Sequence, residues 1–264
     1  MMTLVRALWA YRGFILGSVK REFQSRYQNS VLGAAWTVLN PLAMIVVYTV
    51  IFSQVMQARL PGATGGFAYS IYLCAGVLTW QLFSEITTRA QGVFIENAGL
   101  LKKLNFPRIS LPVTVVTNAL LNFAIVFSLL TLFLLLTGNF PGWPFLALVP
   151  VIGILAMFAI GLGITLGILN VFFRDVGQVF GIFLQFWFWL TPIVYPRSIL
   201  PARVVDWLWI NPMAPLIGAA QDVLVHAQWP HWLSLLPPLV VAMLLCALGW
   251  RLFRRHSAEL VDEL

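Results

Sequence analysis

Charge is scarce in this chain. Only 9% of its 264 residues are Asp, Glu, Lys or Arg, against about 25% in a soluble domain. With 60% hydrophobic residues and a mean hydropathy of +0.89, the chain has too little polar surface to cover itself in water, and lipid is its solvent. There are three lysines, and none directly follows a glycine. That excludes a phosphate-binding P-loop and an ATPase acting alone. The histidines His226, His231 and His256 lack metal-ligand spacing with Cys or carboxylates, and no Ser/His/Asp arrangement is apparent. The two cysteines cannot build a disulfide scaffold. Cys74 is expected at the outer end of one span and Cys246 at the inner end of another. Acidic residues deep in the apolar stretches are essentially absent; Glu85 falls near an inner end. This weighs against a proton- or sodium-coupled carrier, although ion sites made of backbone carbonyls stay open. The short apolar run at 13–19 is followed by Lys20 and Arg21 with no cleavage-like site, so no signal peptide is expected.

What the chain does have is six long apolar stretches, at about 32–56, 67–87, 111–136, 145–172, 176–195 and 233–253. Thirteen of its sixteen basic residues fall in alternate connecting segments. Loops rich in Lys and Arg stay cytoplasmic, so both termini are predicted inside, with six crossings. The formal charge of +7 then belongs to membrane edges and lipid headgroups rather than to nucleic acid. Six spans of about 20 residues leave no room for a separate catalytic domain. The predicted fold class is an all-α membrane protein with an N-terminal amphipathic interface helix (1–30) and a six-span permease domain (31–264).

In the first 30 residues Leu4, Leu8, Tyr11, Ile15 and Val19 form one apolar helical stripe, with Arg6, Lys20 and Arg21 off it. Such a helix lies in the headgroup plane or packs on a cytoplasmic partner. Pro41 is expected to kink the first span. The segment 196–232 holds two apolar pieces, 199–210 and 213–225, parted by Asn211-Pro212. Each gives about 20 Å of helix against about 30 Å of hydrocarbon, so neither crosses. A re-entrant pair dipping in from outside is expected, with an interfacial loop anchored by Trp207 and Trp209 as the alternative.

Ala159, Gly163 and Gly167 form a small-residue stripe that predicts close helix packing. Thr114, Asn118 and Asn122 form a polar stripe, read as interhelical hydrogen bonding or as the wall of a polar conduit. The fifth span is dense in aromatics, and Phe180, Phe183 and Trp187 share a face. Aromatic faces can pack on sugar C–H faces without fixing one hydrogen-bond pattern; a lipid-facing aromatic belt is the other reading. The inner loop from Glu96 to Arg108, ended by Pro107, is expected to hold a short basic helix on which a partner could dock.

One set of motifs is more specific. Phe23-x-x-Arg26-Tyr27-x-x-Ser30-x-Leu32-Gly33-x-x-Trp36-x-x-x-Asn40-Pro41-Leu42 leads to Tyr48-Thr49 and Phe52. Then come Leu101-Lys102-Lys103-Leu104-Asn105-Phe106-Pro107-Arg108, Phe173-Arg174-Asp175-Val176, Thr191-Pro192-Ile193-Val194-Tyr195 and Asn211-Pro212. In this order, across nearly the whole chain, they resemble the ABC-type permeases that export polysaccharides such as O-antigen, capsule and teichoic acid. The resemblance implies a homodimer with two cytoplasmic ABC ATPase subunits that bind ATP and Mg, and no cofactor in this chain itself. It implies an undecaprenyl-diphosphate-linked polysaccharide as cargo, in the bacterial inner membrane. It implies a coupling helix at about 94–108, carrying Glu96, Leu100, Leu101, Lys102, Lys103 and Arg108. A re-entrant segment at about 196–232 is also implied. Channel-lining aromatics of the first and fifth spans map to Tyr48, Phe52, Phe180, Phe183, Trp187 and Tyr195. Arg26, Lys102 and Arg108 are candidates to attract the diphosphate, or serve as positive-inside anchors. Family members often carry a basic residue near the end of the second re-entrant helix; here Gln221-Asp222 stands instead.

The expected function is the membrane half of an exporter for lipid-linked polysaccharide, O-antigen first among cargoes. Three rivals stand beside it. One is an exporter of small lipids or drugs, one a membrane scaffold without transport. The third, a membrane-embedded glycosyltransferase or ligase, would need outer carboxylates, for which only Asp206 and Asp222 are available.

Overall fold

A computed structural model describes residues 12–27, 35–51, 66–103, 110–256 and 259. Among these, every regular element is helical: α1 (Arg12–Tyr27), α2 (Trp36–Tyr48), α3 (Ala68–Glu96), α4 (Ala98–Lys103), α5 (Ser110–Leu136), α6 (Leu148–Phe172), α7 (Asp175–Leu190), α8 (Ala202–Trp207), α9 (Met213–His226) and α10 (Leu236–His256). Three helical stretches are long and apolar enough to cross a membrane, Ser110–Leu136, Trp143–Phe172 and Trp232–His256; the last two each begin as a 3-10 turn running into α6 and α10. Val38–Ile51 is apolar but shorter.

α3 is the hub. It is 29 residues long and packs against α5, α6 and α9. Leu73, Leu82, Phe83, Ile86 and Phe94 along it are essentially sealed from solvent. The hydropathy of the sequence drops at Glu85 and Arg89, which is why the second span is expected to stop near residue 87. The helix nevertheless runs on through Glu96. Its extension is buried against neighbours, with Phe94 stacked near Phe253 of α10 at 6.0 Å, so packing rather than hydropathy sustains it. At this end lies the cluster of Ala90, Val93, Phe94, Leu101, Leu111, Ile168 and Phe253. At the other end Ile71, Cys74, Leu130, Leu134, Leu148 and Leu224 form a second cluster. We call these the α4 end and the α9 end.

The small-residue stripe of α6 faces α3. A Cβ built on Gly163 would sit 2.6 Å from the Cβ of Ala90, and one on Gly167 2.7 Å from the carbonyl oxygen of Ala90. Only glycine lets the two backbones approach this closely. α7 ends at Leu190, earlier than the apolar run suggests, because Pro192 cannot continue the helix. α9, with 14 residues, is inserted against α3 with Met213, Leu216, Ile217 and Val223 fully buried. α1 packs on α5, and its Ile15 and Val19 are buried while Leu16 is 62% exposed. Leu4, Leu8 and Tyr11 of the same stripe lie outside the described residues. Pro41 sits inside α2, which continues past it to Tyr48.

Candidate functional site

The aromatic face of α7 is assembled as its spacing requires. Phe180 and Phe183 have ring centroids 6.2 Å apart, and Phe183 and Trp187 5.1 Å. Phe180 is buried and Phe183 is 48% exposed. The three line an open apolar pocket of about 660 Å³ together with Trp207 of α8, Ile210 just after it, and Val241 and Leu245 of α10. Trp187 also meets Trp80 and Phe83 of α3 edge-on, at 6.0 and 5.2 Å. Its indole N–H donates to the Asn211 side-chain oxygen at 2.8 Å, and the Asn211 amide donates in turn to the Thr191 hydroxyl at 2.9 Å.

Beyond α7 the backbone is irregular over residues 191–195. Carbonyls freed by a broken helix must find donors, and three side chains supply them. The Tyr69 hydroxyl donates to the Val194 carbonyl at 2.8 Å. The Tyr72 hydroxyl lies 3.2 Å from the Pro192 carbonyl and 2.9 Å from that of Tyr195. The Gln221 amide of α9 donates to the Ile193 carbonyl at 3.2 Å. A Cβ on Gly76 would lie 2.7 Å from the Gln221 amide nitrogen and 2.9 Å from the Ile193 carbonyl oxygen, so glycine is what admits this turn against α3. Gln221, which stands with Asp222 where the resemblance leads one to expect a basic residue, thus holds the turn.

A second polar group lies toward the α4 end. Arg89 of α3 is held by Glu22 of α1 and, at 3.3 Å, by Glu85 one turn earlier on its own helix. Asn118 of α5 donates to Glu22, and Asn122 of α5 donates to Glu85 at 2.8 Å. The polar stripe of α5 is thus engaged in hydrogen bonds to the carboxylates of two other helices. Thr114 instead bonds the Ser110 carbonyl at 2.9 Å and lines the adjoining cavity.

The coupling segment contains the short helix α4, which follows directly on α3. Within it Leu100 is 40% exposed, whereas Leu101 is buried in the core cluster with Phe94 and Phe253. Lys102 is exposed, and Glu96 lines the cavity beside α1. The two leucines therefore point in opposite senses, outward and inward.

The structure brings Phe180, Phe183 and Trp187 together but not the other aromatic candidates. Tyr48, half-buried at the end of α2, packs with the cluster at the α9 end. The Tyr195 hydroxyl donates to the Trp189 carbonyl. Phe52 and Arg108 lie outside the described residues, as do the side chains of Arg26 and Lys103. Sequence reasoning missed Tyr69, Tyr72, Glu22 and Arg89. The available signals were the Asn118/Asn122 stripe, which needed partners, and the Gln221 departure, which needed a reason.

A bundle built on a buried hub helix, with a broken helix stapled at one end and a short amphipathic helix at the other, fits a membrane transport subunit. Residues 15–225 match the ABC-2 type transporter family, and the chain belongs to that family. It is 30% identical, over 100% of both chains, to the O-antigen export system permease protein RfbA of Myxococcus xanthus. It is 29% identical to the protein of that name from Klebsiella pneumoniae, over 92% of each chain. The polysialic acid transport protein KpsM of Escherichia coli is 24% identical, over 92% of this chain and 93% of that one.

Proposed function

We propose that this chain is the membrane permease subunit of an ATP-driven exporter that moves a lipid-linked polysaccharide, O-antigen first among candidates, across the bacterial inner membrane. The observation that carries this reading is the end-to-end similarity to a permease named for O-antigen export. The more distant similarity to a polysialic acid transporter keeps the cargo within long surface glycans.

In this reading α2, α3, α5, α6, α7 and α10 are the six spans, and α8 with α9 forms a re-entrant pair reaching in from the periplasm. α9 is about 21 Å long and is bounded on both sides by described non-helical backbone, whereas α2 runs to the edge of the described residues. α9 is therefore too short to cross, and its burial supports insertion rather than an interfacial loop. The α4 end faces the cytoplasm with both termini, as the distribution of Lys and Arg requires. Two copies pair, and two ATPase subunits bind ATP and Mg and dock on α4 through Leu100 and Lys102. The Phe180–Phe183–Trp187 face contributes apolar platforms along the path. Lys102, Arg26 and Arg108 draw in the diphosphate of an undecaprenyl-type carrier.

Deletion of the gene tests the reading. Loss of surface polysaccharide on a gel, with lipid-linked polymer building up inside the cell, is expected. A normal surface ladder in a strain with no second exporter would overturn it and favour a small-lipid exporter or a scaffold.

A further inference from the structure

Arg89 lines two cavities at once. One, of about 870 Å³, lies between α1, the end of α3, α4 and the start of α5, and is bordered by Arg21, Glu22, Glu96 and Leu100. The other is a wide-open groove of about 690 Å³ between α2, α3 and α7, bordered by Met44, Trp80, Ser84 and Phe188. Their common wall is the Arg89 side chain, clamped by Glu22 and Glu85, with Asn118 and Asn122 each donating to one of the two carboxylates.

The clamp is asymmetric. Glu85 sits one turn away on the same helix, so it stays beside Arg89 whatever the bundle does. Glu22 comes from α1, which rests on α5. A displacement of α1 therefore takes Glu22 from Arg89 and Asn118 together and leaves the Glu85–Arg89 and Glu85–Asn122 contacts in place. Both side chains are partly exposed, so the contact is screened by water and modest in strength, and a small movement of α1 is enough to release it. α1 and α4 wall the same cavity.

We infer that Glu22 and Arg89 form a latch that closes the cavity beside α1 and α4 off from the one beside α2 and α7. Release of the latch by movement of α1 joins them into one polar passage. The inference rests on the proposed topology only for the side from which the passage opens.

The test uses the full chain co-expressed with its ATPase, with both native cysteines replaced (Cys74→Ala, Cys246→Ser) and Ser84→Cys as reporter in the second cavity. Labelling rates are measured with two membrane-impermeant thiol reagents, one anionic and one cationic, in vesicles of each orientation. Glu22→Ala is expected to speed both reagents about threefold from the α4 face, the population shift that follows loss of one partly exposed ion pair. The double variant Glu22→Ala/Arg89→Ala is expected to label no faster than the faster of its two single variants, because both remove the same contact. Unchanged rates in Glu22→Ala overturn the latch. So does a faster anionic with a slower cationic reagent, which reports only the altered local potential, and so does a double variant whose acceleration is the product of the two single effects. Acceleration from the opposite face alone supports the latch and overturns the proposed orientation. Should Glu22→Ala not accumulate in the membrane, Asn118→Ala removes the amide that positions Glu22, and the same rise is expected.

Discussion

The indole nitrogen of Trp187 and the side-chain oxygen of Asn211 lie 2.8 Å apart, tying the aromatic face of α7 to the link between α8 and α9. Asn211 also bonds the Thr191 hydroxyl and accepts from the Met213 amide at 3.0 Å. One carboxamide thus fixes where α7 ends and α9 begins. Any relative movement of α7 and the α8–α9 pair must pass through this contact.

Asn211→Ala strands the Trp187 N–H and takes one donor from the Thr191 hydroxyl, which keeps its own bond to the Trp187 carbonyl at 2.7 Å. Leaving buried polar groups unpaired costs about 1–3 kcal/mol. The variant is expected to lower the apparent melting temperature in detergent, followed by fluorescence-detected size exclusion. Asn211→Asp, which keeps the acceptor for Trp187 and Met213, is expected to lose less.

The single hydroxyl proton of Tyr72 is shared between two carbonyls of the 191–195 turn and is buried, whereas Tyr69 donates to one carbonyl from a half-buried position. Tyr72→Phe is therefore expected to destabilise more than Tyr69→Phe, each within about 0.5–3 kcal/mol. Thermal melts of the two single variants decide the order. Equal melting temperatures would mean that the turn is held elsewhere.

Gly163→Leu is expected to abolish accumulation in the membrane, because its first side-chain atom already overlaps Ala90 of α3. Overpacking of this kind costs about 1–3 kcal/mol and often more. Gly153 of the same helix has no atom within 4 Å of a built Cβ, so Gly153→Ala is the matched control. Immunoblots of membrane fractions compare them, and normal levels of Gly163→Leu would argue against this α3–α6 contact.

Leu100 and Leu101 separate docking from folding. Leu100→Asp places a charge on an exposed position and is expected to leave the permease folded while weakening co-purification of its ATPase. Leu101→Asp buries a carboxylate among Phe94 and Phe253, which without a partner charge is strongly destabilising. Pull-down and membrane abundance, measured together, distinguish the two.

Much of this arrangement can be read along the chain, because lipid demands long apolar helices and those leave an unmistakable record. The long helices α5, α6 and α10, the α3–α6 stripe and the shared face of Phe180, Phe183 and Trp187 all follow from residue spacing on one helix. What eludes the sequence depends on two helices at once. Glu22 and Arg89 are 67 positions apart, and Tyr72 lies 120 positions from Pro192; no periodicity links them. The extension of α3 to Glu96 is hidden because hydropathy records lipid contact, whereas that stretch is covered by protein. The opposed directions of Leu100 and Leu101 are likewise set by where α4 meets the core. The polar stripe of α5 points toward partners without naming them.

The central claim is ATP-driven passage of a lipid-linked glycan through this chain. It is tested most directly in inside-out membrane vesicles that contain the permease with its ATPase and carrier-linked polysaccharide on the outer, cytoplasmic face. Protection of the polymer from added glycosidase is followed over time. The account predicts protection that grows with ATP, stays at baseline with a non-hydrolysable analogue, and is lost in Leu100→Asp. Polymer that stays fully digestible with ATP, in vesicles where the complex hydrolyses ATP, would contradict it.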